Sequence, residues 1–328
     1  MIRKPAHSAI LLLAAHALGA CADPGSSKAG SDEHAAAATR PYMGQTPPGV
    51  TPVLFAPGVV NTEAIELNGV FSPAGREFFF TRIVDDVFTM HRSVLGNDGW
   101  SKPWPVHPYA GGERVMAVDM AYSTDGRELY FLGRGSTDLV PGERNGLNLW
   151  VSERKGNAWS IARVVPPPVS TEHSESYPCT VSDGSLYFSS RRPGGHGASD
   201  IYRAQRLATG TFAEPINVGL PINTEHSEGD TFVAPDESYL IVSSGRPGGF
   251  GQGDLYISFR DEDGDWRQPV NLGESINSEQ VDFCPMVTPD GKYLFFSRRW
   301  GASWDETTRC EVFWVDVRVL DRFRPQSR

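Results

Sequence analysis

The sequence runs to 328 residues, 39% hydrophobic and 21% charged, enough for one large domain or two small ones with a substantial core. Its 40 acidic against 30 basic residues, a formal charge of −10, exclude a sequence-independent grip on nucleic acid or on an anionic membrane surface, because both need a positive field. With 34 Gly and 25 Pro beside 8 Trp, 10 Tyr and 17 Phe, an all-β domain of short strands and tight turns is expected rather than packed helices.

In chain order, Arg3 and Lys4 precede an apolar stretch from Ala9 to Ala20, too short to span a bilayer but the length of a signal-peptide core. It ends in Leu18-Gly19-Ala20-Cys21, which resembles the lipobox of bacterial lipoproteins. The resemblance implies a signal peptide over 1–20 and lipidation of Cys21, with several acyl chains giving a stable anchor. Ala22 in place of an Asp implies the outer membrane rather than retention at the inner one. An ordinary secretory signal with Cys21 incidental is the other reading. Residues 21–51, rich in Ala, Gly, Ser, Pro and charge, are expected to be a flexible tether.

Beyond the tether the chain repeats. A turn recurs as Ser72-Pro73-Ala74-Gly75, Ser123-Thr124-Asp125-Gly126, Ser182-Asp183-Gly184, Ala234-Pro235-Asp236-Glu237 and Thr288-Pro289-Asp290-Gly291, at steps of 51, 58, 53 and 54 residues. Pro sets φ, Asp bonds back to the backbone and Gly tolerates positive φ, so each is a turn for a physical reason. A period in the fifties means propeller blades or a similar array. An aromatic, β-branched strand follows each turn, as in Phe78-Phe79-Phe80 and Tyr293-Leu294-Phe295-Phe296. A third strand recurs at Asp86-Val87-Phe88, Asn148-Leu149-Trp150, Asp200-Ile201-Tyr202, Asp254-Leu255-Tyr256 and Glu311-Val312-Phe313. A fourth element carries an aromatic: Trp100, Trp159, Phe212 and Trp266, usually with a Pro three residues on. The last copy lacks its fourth element, and the segment from Pro52 to Thr62 parallels Pro215–Thr224 and Pro269–Ser278. The N-terminal strand is therefore expected to complete the final blade and hide its open edge.

These repeats resemble the TolB-like, or WD-repeat-like, β-propeller repeats of bacterial envelope proteins. The match is strongest where Arg191-Arg192-Pro193-Gly194-Gly195-His196-Gly197 leads into Asp200-Ile201-Tyr202 and Arg246-Pro247-Gly248-Gly249-Phe250-Gly251 into Asp254-Leu255-Tyr256. The first and second copies lack the Pro-Gly-Gly segment, and the second carries an extended loop from Gly135 to Gly146. The expected fold is an all-β, five-bladed propeller of four-stranded antiparallel blades over 52–320, closed by the N-terminal strand, with a tail at 321–328 and six blades as the alternative. The resemblance implies a binding or scaffold module.

An acidic residue opens the first strand of each copy: Glu66, Glu175, Glu228 and Asp282 stand nine residues before the last turn residue, and Asp119 seven before. First strands line a propeller's axis, so these five are the candidate ring at the channel mouth, able to hold a cation or meet a basic partner. Against that stands a recurrent arginine after the second strand (Arg82, Arg134, Arg191, Arg246, Arg298), which predicts that acids and arginines brace each blade. A feature present in every copy usually serves the repeat itself, whereas function lives where copies differ. His173 and His226, in the duplicated Thr-Glu-His-Ser-Glu segments, are candidate rim residues one blade apart, too distant to share an ion. The Gly-rich loops join strands without a following helix or a Lys-Ser/Thr, so they read as bends rather than phosphate cradles.

Cys179, Cys284 and Cys310 lack metal spacing; a Cys284–Cys310 disulfide is one possibility, and buried free thiols the weightier one. Neither zinc-peptidase nor α/β-hydrolase motifs occur. No catalytic residue, metal or cofactor is assigned. The expectation is a lipid-anchored envelope module that engages a protein or glycan through its rim or channel mouth; a carbohydrate- or peptide-acting hydrolase and a cation-stabilised structural propeller are the alternatives.

Overall fold

A computed structural model describes residues 41–134, 147–301 and 303–325. The signal segment, Cys21 and the Gly135–Gly146 loop lie outside the described residues. The rest is a five-bladed β-propeller. Blade 1 is built from Ile65–Phe71, Glu77–Val84, Val87–Gly96 and Trp104–Val106, and blade 2 from Met116–Tyr122, Glu128–Arg134, Leu147–Lys155 and Arg163–Val164. Blade 3 comprises Glu175–Thr180, Leu186–Ser190, Asp200–Ala204 and Ile216–Asn217, and blade 4 comprises Glu228–Val233, Tyr239–Ser244, Asp254–Phe259 and Val270–Asn271. Blade 5 is Val281–Val287, Tyr293–Trp300, Arg309–Asp316 and the N-terminal Val53–Leu54. Every pairing within a blade is antiparallel.

The strands are apolar on both faces because blades stack face to face; Leu186–Ser190 is buried at every position. Each interface between blades has its own core. Phe79, Tyr122, Phe131 and Trp150 fill one, and Ile241, Leu255, Leu294 and Val315 another. The outer ends of the interfaces carry charge: Glu77 of blade 1 takes Arg154 of blade 2 at 2.8 Å, and Glu237 of blade 4 takes Arg203 of blade 3 at 2.8 Å. Glu237 also stands at the turn position where the other four copies have Gly, with φ of 58°. Its carboxylate, bound by Arg203 and Tyr187, offsets the strain of a left-handed non-glycine residue.

Ring closure follows the expected plan. Val53 pairs with Trp314 and Leu54 with Phe313. Asn61, 4% exposed, then clamps the same third strand: its Nδ2 donates to Val312 O at 2.8 Å and to Phe55 O at 2.7 Å, and its Oδ1 accepts from Val312 N at 2.8 Å. Asn223 and Asn277 repeat the clamp on Ile201 and Leu255 inside blades 3 and 4. The closing interface is the aromatic one, with Phe55 set 4.8 Å from Phe295 and 5.3 Å from Trp314 between ring centroids.

Two boundaries differ from the sequence reading. Within the stretch taken as tether, Tyr42 already packs on Phe71, Tyr293 and Trp314, which extends the aromatic closure ten residues upstream of Pro52. Likewise the segment after residue 320 is held, because Arg322 donates to Leu272 O at 2.6 Å. The aromatic of the fourth element lies in the hairpin before the fourth strand. There an arginine stacks on it: Arg154 on Trp159 at 4.3 Å, Arg206 on Phe212 at 4.9 Å and Arg260 on Trp266 at 4.1 Å.

Candidate functional site

The five acids do not form one ring. Glu66, Glu175, Glu228 and Asp282 are 0% exposed, each held by an arginine of its own blade: Arg82 at 2.8 Å, Arg192 at 3.4 Å, Arg246 at 3.2 Å and Arg298 at 2.7 Å. Hydroxyls complete the shells, as where Thr171 Oγ1 donates to Glu175 at 2.6 Å and Thr224 Oγ1 to Glu228 at 2.8 Å. Burial still pushes Glu175 and Asp282 above the ordinary carboxylate range, against the pull of these donors and of Arg192 and Arg298. A carboxylate removed from water must be paired, and these four are; they brace the blades and are not open to a partner. In blade 3 the brace is Arg192; the expected Arg191 is exposed. Among the described residues blade 2 lacks this brace: Ala117 sits opposite Gly133 and Arg134 is exposed.

Asp119 belongs to a different set. Each first strand has a residue with positive φ at one register: Asn68 (54°), Asp119 (51°), Tyr177 (52°), Asp230 (32°) and Cys284 (50°). The pairing slips there in every blade, between Leu67 and Val70, Ser176 and Cys179, Gly229 and Thr231, Phe283 and Met286, and Tyr130 and Leu132 of the partner strand in blade 2. Such a bulge bends the strand and re-aims its side chain. All five residues line one axial cavity of about 830 Å³. Its far rim is made by the first turns, at Pro73, Thr124, Ser182, Pro235 and Pro289, so the opening lies on the turn face of the disc.

The floor is acidic and buried. Asp119 is 3% and Asp230 5% exposed. Asp230 Oδ2 accepts from Cys284 N at 2.9 Å and is also bonded by Tyr177. Asp119 has one polar contact among the described residues, Cys284 Sγ at 3.9 Å. Burial, and then the neighbouring Asp230, push Asp119 well above the usual carboxylate range; burial lifts Asp230 to about 6. Both carboxyls are therefore held toward their protonated forms. Burial also raises the Tyr177 phenol and the Cys284 thiol, keeping both protonated. Asn68 Oδ1 is committed to Met120 N at 2.7 Å.

The remaining candidates stay apart. His173 and His226 each lie 3.8 and 3.7 Å from their own neighbouring glutamates, Glu172 and Glu225, outside the cavity. The Gly-rich loops are bends: His196 N and Gly197 N donate to Asp200 at 2.6 and 2.9 Å, and Phe250 N and Gly251 N to Asp254 at 2.6 and 3.0 Å. Cys179, Cys284 and Cys310 are free thiols, so the Cys284–Cys310 disulfide does not form. Among the described residues no cluster of His, Cys, Asp and Glu has the form of a metal site, and no helix is long and apolar enough to cross a membrane.

Asn68, Tyr177 and Asp230 escaped the sequence reading, and Cys284 was weighed there only as a thiol, although a signal for the set exists. Asp119 stands seven residues before its turn, and counting seven in every copy yields this same set. Anchoring on the commoner acid at nine placed Asp119 with the braces and hid its true partners.

No protein-family model and no curated protein matches the sequence. Among solved structures, a glycoside hydrolase aligns at 11% identity over 87% of this chain and 93% of its own, with a TM-score of 0.52. The putative TolB from Agrobacterium tumefaciens aligns at 14% identity over 79% and 92%, TM-score 0.49, and an alpha-L-arabinofuranosidase from Lactobacillus brevis at 14% over 77% and 90%, TM-score 0.46. At these identities what the chain shares with such proteins is the propeller fold, and its function has to be argued from its own axial site.

Proposed function

We propose that this chain is a ligand-binding propeller of the bacterial cell envelope, anchored through Cys21, that admits part of a protein or glycan partner into its axial cavity from the turn face. The observation that carries this reading is the cavity. It is about 830 Å³, the size of a ligand site, and its floor carries four residue types across five blades, whereas the braces around it repeat one Arg–carboxylate pair in four blades. The envelope location rests on the Leu18–Cys21 lipobox-like segment and on the repeat resemblance.

The test is cross-linked capture of partners from intact envelopes with the native chain and with Ala121→Trp, which fills the cavity from its wall. Capture that is lost on filling supports the reading; capture indifferent to it refutes the cavity as the site. Labelling with a palmitate analogue, present in the native chain and absent in Cys21→Ser, tests the anchor.

The hydrolase alternative draws on the same two carboxyls, since Asp119 and Asp230 alone among the first-strand acids discussed lack an arginine. Both contact Cys284, Asp230 through the Cys284 backbone N–H and Asp119 through the thiol, and both are buried on the cavity floor with raised pKa values, which disfavours the ionised nucleophile or base that glycosidic chemistry requires. Binding is the better-supported use of this geometry.

A further inference from the structure

Among the described residues the fold gives a guanidinium to each of four inner-strand carboxylates and none to Asp119 or Asp230. The arginine whose charge reaches Asp230, Arg299, has its Nη1 engaged by Gly301 O at 3.0 Å, Ser303 O at 2.6 Å and Thr307 Oγ1 at 3.3 Å, and its plane on Trp304. Asp119 is 3% exposed and lines the cavity, yet apart from the long thiol contact it has no polar partner among the described residues. A buried carboxyl pair without a counter-ion is costly, and a cation brought from outside would relieve that cost. The Tyr177 ring on the same floor adds a face that favours cations.

We infer that the floor of the axial cavity receives one ammonium or guanidinium group, held between Asp119 and Asp230 beside Tyr177. This deepens the binding reading above and rests on it. A lysine or arginine of a protein partner and the amine of an amino sugar share this chemistry. The groups facing the pair are Tyr177 from blade 3 and Cys284 from blade 5, both kept protonated by burial, neutral Asn68 from blade 1, Cys310 and Arg299 behind Cys284, and Asp236 and Arg324 at the mouth. Burial favours the protonated form of both carboxyls, so they are the groups at which proton and incoming cation compete.

The experiment is calorimetric titration of the full chain with 1,5-diaminopentane and with 1,5-pentanediol, equal in length and uncharged. The diamine is expected to bind about tenfold more tightly than the diol at pH 7.5 and to weaken several-fold at pH 5. Asp119→Asn with Asp230→Asn should cost the diamine about tenfold, with circular dichroism confirming a folded chain; should the double variant not fold, Asp119→Asn alone must weaken the diamine. Competition by argininamide or by glucosamine then tells the two sources apart. Equal binding of diamine and diol, or a diamine affinity untouched by the carboxamide variants, overturns the inference. A diol that binds and is blocked by Ala121→Trp would sink the cation while sparing the cavity; probes and envelope capture all indifferent to Ala121→Trp would sink both.

Discussion

Closure of the ring by a chain end makes a local prediction, which Asn61→Ala tests. The substitution removes three buried hydrogen bonds of 2.7 to 2.8 Å. Val312 C=O keeps Phe55 N–H at 3.0 Å, but Val312 N–H and Phe55 C=O both lose their Asn61 partner. Two buried groups left without that partner, at about 1–3 kcal/mol each, set the loss at roughly 3 kcal/mol. Asn223→Ala removes the same clamp on Ile201 within blade 3 and is the control. Both variants should melt earlier in urea. They should differ in where they open: the segment 53–61 is joined to the disc covalently at one end of the blade ring, so Asn61→Ala should speed amide exchange at Val312 and Trp314 and expose Val53–Thr62 to proteolysis. Native-state hydrogen exchange reads this directly. Unchanged exchange at Val312 and Trp314, with an unaltered urea midpoint, would refute the claim that the clamp holds the ring shut.

Three further outcomes follow from the same geometry. Gly197→Ala should destabilise by more than about 2 kcal/mol in urea melts, because its Cβ would fall 1.7 Å from His226 O and 2.7 Å from Thr224 O, backbone atoms of the next blade that cannot step aside. Glu228→Ala should cost about 3–5 kcal/mol by leaving Arg246 buried without its counter-ion, and a cost under 1 kcal/mol would deny the brace its role. For Asp230 the folded pKa is raised, from 3.8 to about 6, so the native chain binds the extra proton and stability falls as pH climbs through that window. Asp230→Asn should thus gain up to about 3 kcal/mol over the native chain at pH 8 and little at pH 4; a difference between the two that does not vary with pH would contradict the protonated pair.

The sequence by itself determined the repeat. Turn chemistry and strand pattern are local properties, written in residues such as Pro289-Asp290-Gly291 and Tyr293–Phe296, and each copy restates them. Their period counted five blades, and the match of Pro52–Thr62 to the later fourth elements located the closing strand. Charge pairing within a blade was legible for the same reason, since Glu66 and Arg82 lie on adjacent strands in fixed register, although the choice of Arg192 over Arg191 was not. What only the tertiary structure decided is the axis. Asn68, Asp119, Tyr177, Asp230 and Cys284 lie far apart along the chain and, the two aspartates aside, differ in chemistry; they meet because a bulge turns each one inward where five blades converge. That convergence takes Asp119 and Asp230 out of water together, and the upward shift of both carboxyls belongs to the closed ring rather than to either residue's place in the sequence.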